Sequence, residues 1–309
     1  MIEPQTADTR AVLAPSDGVL APLSGLFQTL TRFGKNKPLG AVGGMIFVAL
    51  VLVAVFAPIL APYGAKELLD TREGKAAVHI APNSDFYFGT DHVGRDVLSR
   101  VIHGARVSLY VGLGSVTIGI TGAFILGVSF AYAGGKADMI FQRFVDAMMA
   151  MPGLIIALAI MAVLGPSLNN IIVAIVLGLV APVVRTVRSQ VLSLKELDYV
   201  LAARAVGAPS SRIIFRHIVP NCFATYLILA TYYLGFAIII EAGLSFLGVG
   251  SPPDVPSWGG MLTIASQSHV KIGPWVGIFP GVAIFIVVLG FNLLGDALRD
   301  VFDPKLRGR

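Results

Sequence analysis

Five stretches of this 309-residue chain contain no Asp, Glu, Lys or Arg: residues 38–65, 107–135, 147–184, 218–240 and 272–295. A helix crosses a bilayer with about 20 mostly apolar residues, so four of these windows each hold one span. The 38-residue window holds two, because Gly165-Pro-Ser-Leu-Asn-Asn170 in its middle is a turn signal that ends one helix and starts another. Both helices cross only if each borrows residues from outside the window. The first is therefore expected to begin near Phe141 and the second to end near Arg188, with Arg143, Asp146 and Arg185 at the inner face, where long basic side chains snorkel. At 55% hydrophobic and 13% charged residues the chain is too apolar for a soluble domain. The expected class is an all-α polytopic membrane protein with six transmembrane helices.

Orientation follows from the basic residues, which are enriched in short cytoplasmic loops. With both termini inside, the internal segments hold 16 of the 23 Lys and Arg. Six of the other seven lie between Lys66 and Arg106, offset by six acidic residues, and the seventh is Lys271. The expected layout is a cytoplasmic tail at 1–37, a first span at 38–62, an extracytoplasmic segment at 63–106, a core of five spans at 107–296 and a cytoplasmic tail at 297–309. The +5 net charge reads as topology and contact with anionic lipid headgroups, with no need to invoke nucleic acid. The first 37 residues show no signal peptide; residues 1 to about 24, with Pro4, Pro15 and Pro22, are expected to be a disordered tail. The single Cys222 is expected to be an apolar filler.

Several sites stand out along the chain. In the external segment, Phe88-Gly-Thr-Asp91-His-Val-Gly94-Arg95-Asp96 forms turns expected to precede a short amphipathic helix and to build a structural lid. Ser108, Gly112, Ser115, Gly119 and Gly122 share one helix face, a packing stripe within the chain or between subunits. Arg143 and Asp146 are placed to pair, and Pro152 is expected to kink the third span about one turn further on. Glu241 lies well inside apolar sequence with Ser245 one turn away, and is a functional candidate or a structurally paired acid. Trp258, in a Pro-rich turn, suits an interfacial anchor. Asp296 and Arg299 are expected to cap the inner end of the last span, which Pro304 stops. His79, His92 and His103 have no metal-ligand spacing and are taken as surface residues, so no metal site is expected.

Residues 198–218 form the one long polar interruption. Asp198 is the expected N-cap of a short helix over 199–206, Gly207 its left-handed stop, and a second short helix runs from Pro209 or the following serines to a stop at Pro220. Ala202, Ala203 and Ala205 leave room for a partner, and Arg204, Arg212, Arg216 and His217 give a basic edge. The chemistry of these residues fits docking to a protein or lying on lipid equally well.

Ala202-Ala203, three residues, Gly207, twelve residues and Pro220 resembles the cytoplasmic coupling signature of permeases of ATP-binding-cassette importers, with Leu201 and His217 departing from the general pattern. Four further motifs, at 88–100, 241–248, 252–259 and 292–300, resemble the C-type permease of the dipeptide, oligopeptide and nickel branch. The resemblance implies a type I importer permease fold, MetI-like, in a bacterial cytoplasmic (inner) membrane. It also implies a second related permease, two cytoplasmic ATPase subunits that hold ATP and Mg, and an extracytoplasmic solute-binding protein. This chain would bind no cofactor itself. Coupling to the ATPases would fall to Ala202, Ala203, Arg204 and Gly207, flanked by Arg212 and Arg216, while Glu241 and Ser245 are pathway candidates. Asp91, Gly94, Arg95, Asp96, Arg143, Asp146, Asp296 and Arg299 belong to the structural motifs. Peptide is the expected cargo, with nickel as the alternative. A proton-coupled transporter using Glu241 would show inverted repeats, which are not evident. An intramembrane protease would need a His-Glu-x-x-His or Gly-x-Ser-x-Gly motif, and a chain hydrolysing ATP would need a phosphate loop; none occurs.

Overall fold

In a computed structural model the described residues are 37–71, 74–252, 254–266 and 272–302. The expectations for the tail at 1–36, Lys271, Pro304 and the tail from 303 onward lie outside them. The chain divides at Pro38 into two units, and the second, from Leu39 onward, holds the helical bundle. Among the described residues there are no strands, only the bridges Asp70 to Ala76 and Thr90 to Asp96.

Helix α1 (Pro38–Val55) is followed by the short α2 (Ala57–Leu60), so the first continuous helix is shorter than the expected 38–62. An irregular segment leads to α3 (Val97–Ser115), which passes through a π-helical turn (Val116–Ile120) into α4 (Thr121–Ala133). The expected short helix after the turns is the start of α3 itself and runs into the second span without a break. Asp96 caps α3 directly, its carboxylate accepting from the Ser99 amide at 2.7 Å.

The third span departs most from expectation. Helix α5 (Gly135–Met149) stops, and α6 (Gly153–Leu164) restarts at 83° to it. The break lies before Pro152, not a turn after it. Proline disfavours the helical conformation of the residue preceding it, so Met151 leaves the helix, and Pro152 (ψ 132°) becomes the N-cap of α6. Gly165, at φ +81°, closes α6, and the Asn170 amide donates to the carbonyls of Leu164 and Gly165 at 2.9 and 3.0 Å. Then come α7 (Leu168–Lys195), α8 (Asp198–Ala205), α9 (Ser210–Ile213), a second π turn (Ile214–Ile218), α10 (Val219–Phe246), α11 (Trp258–Ile264) and α12 (Trp275–Phe302). Among the described residues five helices are long and apolar enough to cross a membrane, and the bent pair α5–α6 brings the number to six when it is counted as one broken span.

Helix α7 is the centre of the bundle: Ala174, Val183, Val184 and Val191 are fully buried, and α3 to α6 and α10 all pack on it. The packing stripe of α3 and α4 works within the chain. Gly112 meets Leu234 and Ile238 of α10, and Gly119 meets Leu179 of α7, whereas Gly122 meets nothing. Gly43 of α1 lies so close to α12 that a Cβ would fall 2.5 Å from the Gly290 carbonyl. Lipid gives helices no hydrophobic reason to associate, so such close approach supplies the dispersion that holds them. Cys222 is 1% exposed in the core.

One end of α7 carries charge. Arg188 forms a fork on Asp138 of α5, with nitrogen to oxygen distances of 2.6 to 3.1 Å, and Arg185 pairs with Asp146. Arg143 also reaches Asp146, at 3.8 Å, but it is 81% exposed and is the weaker partner. Lys195 donates to the last carbonyls of α4, at Ala131 and Tyr132, each at 3.1 Å. The charged residues of α12, Asp296, Arg299 and Asp300, are exposed on its last turns.

Removing one member of a part-buried pair strands the other. We expect Arg188→Ala to cost about 1–3 kcal/mol, read as a lower melting temperature of the detergent-solubilised protein, and the double variant Arg188→Ala, Asp138→Ala to recover part of it.

Candidate functional site

The polar run opens where α7 ends. Leu197 is extended, and its carbonyl accepts from the amides of Val200 and Leu201, so Leu197 caps α8 and Asp198 is the first helical residue. With only two residues between the helices, the backbone bend at Leu197 sets the start and the expected Asp198 cap is not formed. The other end is a Schellman stop: the Ala208 amide bonds the Ala203 carbonyl at 3.1 Å and the Gly207 amide bonds Arg204 at 3.0 Å, with Gly207 at φ +79°. Nothing lies within 4 Å of a Cβ placed on Gly207. A side chain there would be strained by the backbone and would stand in open space.

The second helix does not stop at Pro220. It continues from Ser210 through the π turn into α10, giving one helical rod from Ser210 to Phe246. Pro220 is the eleventh residue of that rod and follows directly on the π turn, whose wider bonding, with the Val219 amide on the Ile214 carbonyl, carries the helix past the missing amide hydrogen. Val200, Ile213 and Ile218 are buried in the core and tie the run to the bundle. Its outward side carries Ala202, Arg204, Ala205, Gly207, Arg212 and Arg216, all exposed, with Ala203 half-buried. Val206 and Phe215 stand 84% and 74% exposed beside them. The arrangement is an apolar pair framed by three guanidinium groups on a rigid support.

At the opposite end of α10 lies a buried polar chain. Glu241 is fully buried, and Ser245 donates to its Oε1 at 2.8 Å. Ser245 accepts from the Ser251 amide at 3.2 Å, Ser251 donates to Ser257 at 2.7 Å, and Ser257 caps α11 by accepting from the Gly260 amide. Glu241 Oε2 has no hydrogen-bond partner. Gly259 packs so tightly on Ala242 that a Cβ would lie 2.4 Å from its carbonyl oxygen. The chain thus folds the turn at 251–257 back against α10. Trp258 is 2% exposed and donates to the Val101 carbonyl at 2.9 Å, so it is an internal strut and not an interfacial anchor. A ring this large between α3 and α10 fills space that Gly104 leaves open.

The segment before α3 is organised by Asp91. Its carboxylate accepts from the amides of Val93 and Arg95 at 3.0 and 2.9 Å and from Arg95 Nε at 2.7 Å, while buried Arg100 lies 3.8 Å away and donates to the Ala65 carbonyl. Gly94, at φ +91°, closes this turn. Burial works against the charged form of Asp91, but the Arg95 amide and guanidinium and the Val93 amide outweigh it and hold the carboxyl below its usual range. His79, His92 and His103 are each partly exposed.

Sequence reasoning missed Arg100, Arg185 and Arg188 as partners, and Ser251 and Ser257 as the continuation of the Glu241 chain. The spacing of Asp138 and Asp146 by eight residues and of Arg185 and Arg188 by three was a visible signal, since each pair shares a helix face.

A depressed carboxyl pKa contributes stability that is present above the unfolded value, about 3.9 for Asp, and lost as pH falls through the folded one. We expect unfolding of the purified protein, followed by Trp fluorescence, to be little affected by Asp91 between pH 7 and 5 and to be promoted below about pH 4. Asp91→Asn should cost about 3 kcal/mol at neutral pH and flatten that acid limb.

Comparison with known proteins adds to this geometry. Residues 119–308 match the family model for the binding-protein-dependent transport system inner membrane component, and residues 26–75 match the N-terminal TM domain of oligopeptide transport permease C. The chain is 41% identical to a dipeptide transport system permease protein of Alkalihalophilus pseudofirmus, over 91% of this chain and 90% of the relative. It is 40% identical to a di/tripeptide transport system permease protein of Pseudomonas aeruginosa, over 94% and 96%. Against a glutathione transport system permease protein of Pectobacterium atrosepticum it is 39% identical, over 88% and 89%.

Proposed function

The chain belongs to the family of binding-protein-dependent transport system inner membrane components, and on that premise we propose that it is a permease subunit of an ATP-driven importer of di- and oligopeptides, forming half of the translocation pathway. The cargo class rests on the named functions of its relatives, which act on dipeptides, di/tripeptides and glutathione. Its partners are a second related permease, two cytoplasmic ATPase subunits and an extracytoplasmic solute-binding protein. ATP and Mg sit in the ATPases. Both termini and the run at 198–218 face the cytoplasm, the side to which the basic residues of the short loops assign them.

The observation that carries the coupling role is the exposed Schellman-stopped helix, mounted on a second helix that continues without a break into α10. A partner that grips Ala202, Ala203, Arg204 and Gly207 acts on a whole span and not on a loose loop. Arg212 and Arg216 supply charge at the rim, and Val206 and Phe215 supply apolar area that is otherwise open to water. Glu241 is assigned no part in carrying protons; it joins α10 to the turn at 251–257.

Gly207→Val places a β-branched residue at φ +79°, a strain of about 1–2 kcal/mol, and projects it into the partner's space. In liposomes holding the complete importer, this variant should insert normally but lose most peptide uptake and most peptide-stimulated ATP hydrolysis, and Gly207→Asn, which tolerates the left-handed conformation but projects a side chain of similar reach, should lose them too, so that backbone strain alone is not the cause. Normal transport by Gly207→Val would refute the docking assignment. Glu241→Gln, nearly isosteric, should leave uptake unchanged and independent of an imposed proton gradient.

A further inference from the structure

Helix α10 places two tyrosines, Tyr232 and Tyr233, where phenols are not normally found in a membrane. Tyr232 lies thirteen positions after the start of α10 at Val219, and Tyr233 thirteen positions before its end at Phe246. At 1.5 Å per residue each lies about 20 Å along the helix from either end, near the midplane of the span. Tyrosine favours the membrane interface, because its hydroxyl there reaches water. Neither hydroxyl has a hydrogen-bond partner among the described residues, and Tyr232 is 52% exposed. An unpartnered hydroxyl in hydrocarbon costs about 1–3 kcal/mol, so a lipid-facing position is a poor account of the pair.

The two rings line a cavity of about 270 Å³ together with Phe236 of α10 and with Gly153 of α6 and Gly178 and Pro182 of α7. That volume lies near the lower bound of about 300 Å³ for small-molecule sites. The opposite wall is also polar at one point. Pro182 has no amide hydrogen, so the α-helical bond to the carbonyl four residues earlier, at Gly178, cannot form. Glycine at 153 and 178 lets α6 and α7 approach until a Cβ on either would lie 3.2 to 3.3 Å from the other's carbonyl oxygen. The rings are held by one another: Tyr232 and Tyr233 meet edge to face at 5.2 Å, as do Tyr233 and Phe236 at 5.9 Å.

We propose that this cavity is a cargo subsite at the middle of the translocation pathway, binding the backbone of a small peptide between the tyrosine hydroxyls and the Gly178 carbonyl. The subsite rests on peptide being the cargo of this importer. A peptide bond offers one donor and one acceptor at every residue. The Gly178 carbonyl takes the first and a tyrosine hydroxyl gives to the second. The aromatic faces accept cargo side chains of many shapes, since contact with a ring is undirected compared with a hydrogen bond. Such a site handles peptides without reading their sequence.

The test uses the complete importer in liposomes, with Tyr232→Cys in a Cys222→Ala background and radiolabelled dialanine as the probe. A positively charged, water-borne thiol reagent should modify Cys at 232, and saturating dialanine during turnover should slow that modification several-fold. Reaction with a lipid-soluble maleimide alone, or with neither reagent, would overturn the proposal, the first by placing the ring against lipid and the second by placing it beneath another subunit. Modification that dialanine does not slow also rejects the peptide site. In parallel, Tyr233→Phe, which keeps the ring, should raise the KM for dialanine uptake several-fold; an unaltered KM counts against the hydroxyl contact. If the unmodified importer takes up no dialanine, the cargo reading fails and this one with it, whereas uptake with unprotected labelling rejects the subsite alone.

Discussion

Arg185, Arg188 and Lys195 project from the last three turns of α7, and through them one helix holds the ends of two others. Arg188 and Arg185 take the carboxylates of α5, and Lys195 takes the exposed carbonyls of α4. Ion pairs at a membrane surface are weak when exposed, but the Asp138 side chain is only 8% exposed and the fork geometry uses both its oxygens. The short run that follows α7 starts from this braced end. Its own anchors, Val200, Ile213 and Ile218, are apolar and fully buried. Charge thus fixes the helices that carry the run, and burial fixes the run on them, leaving its outward face free of structural duties.

Within the bilayer the backbone must satisfy its own hydrogen bonds, so each departure from regular helix has a location that limits the damage. Pro152 begins a helix, Pro220 follows directly on a π turn, and Gly165 ends a helix whose last carbonyls are bonded by Asn170. Two prolines lie inside helices, Pro182 in α7 and Pro280 in α12, and Pro182 does so beside a cavity, where the α-helical bond to the Gly178 carbonyl is lost.

The class of fold was legible because uncharged windows of 23 to 38 residues have few alternatives. The turn at 165–170 and the glycine stop at 207 were legible for a similar reason: each depends on residues a few positions apart. What could not be read depended on distant partners. The proline at 152 announces an interruption, but whether the chain bends mildly or by 83° is decided by packing against α7 at Gly178. Trp258 in a Pro-rich turn looks like an interfacial residue until α3 is seen to pass beside it with Gly104 facing the ring. Likewise Glu241 and Ser245 were visible as neighbours one turn apart, whereas Ser251 and Ser257 joined them only through a fold of the loop.

The unbroken rod from Ser210 to Phe246 has a mechanical consequence. Its 37 residues span about 55 Å, which exceeds the hydrocarbon thickness, and the two ends carry very different chemistry: a water-exposed patch at Phe215 and a dry carboxyl with its serines at Glu241. Swung about its middle by 10°, such a lever would carry each tip through about 5 Å. The fulcrum falls at Ile228, little more than a turn from Tyr232 and Tyr233, where displacement is small. A push at one face of the membrane would therefore be felt as a pull at the other, while the aromatic pair between them turned nearly in place.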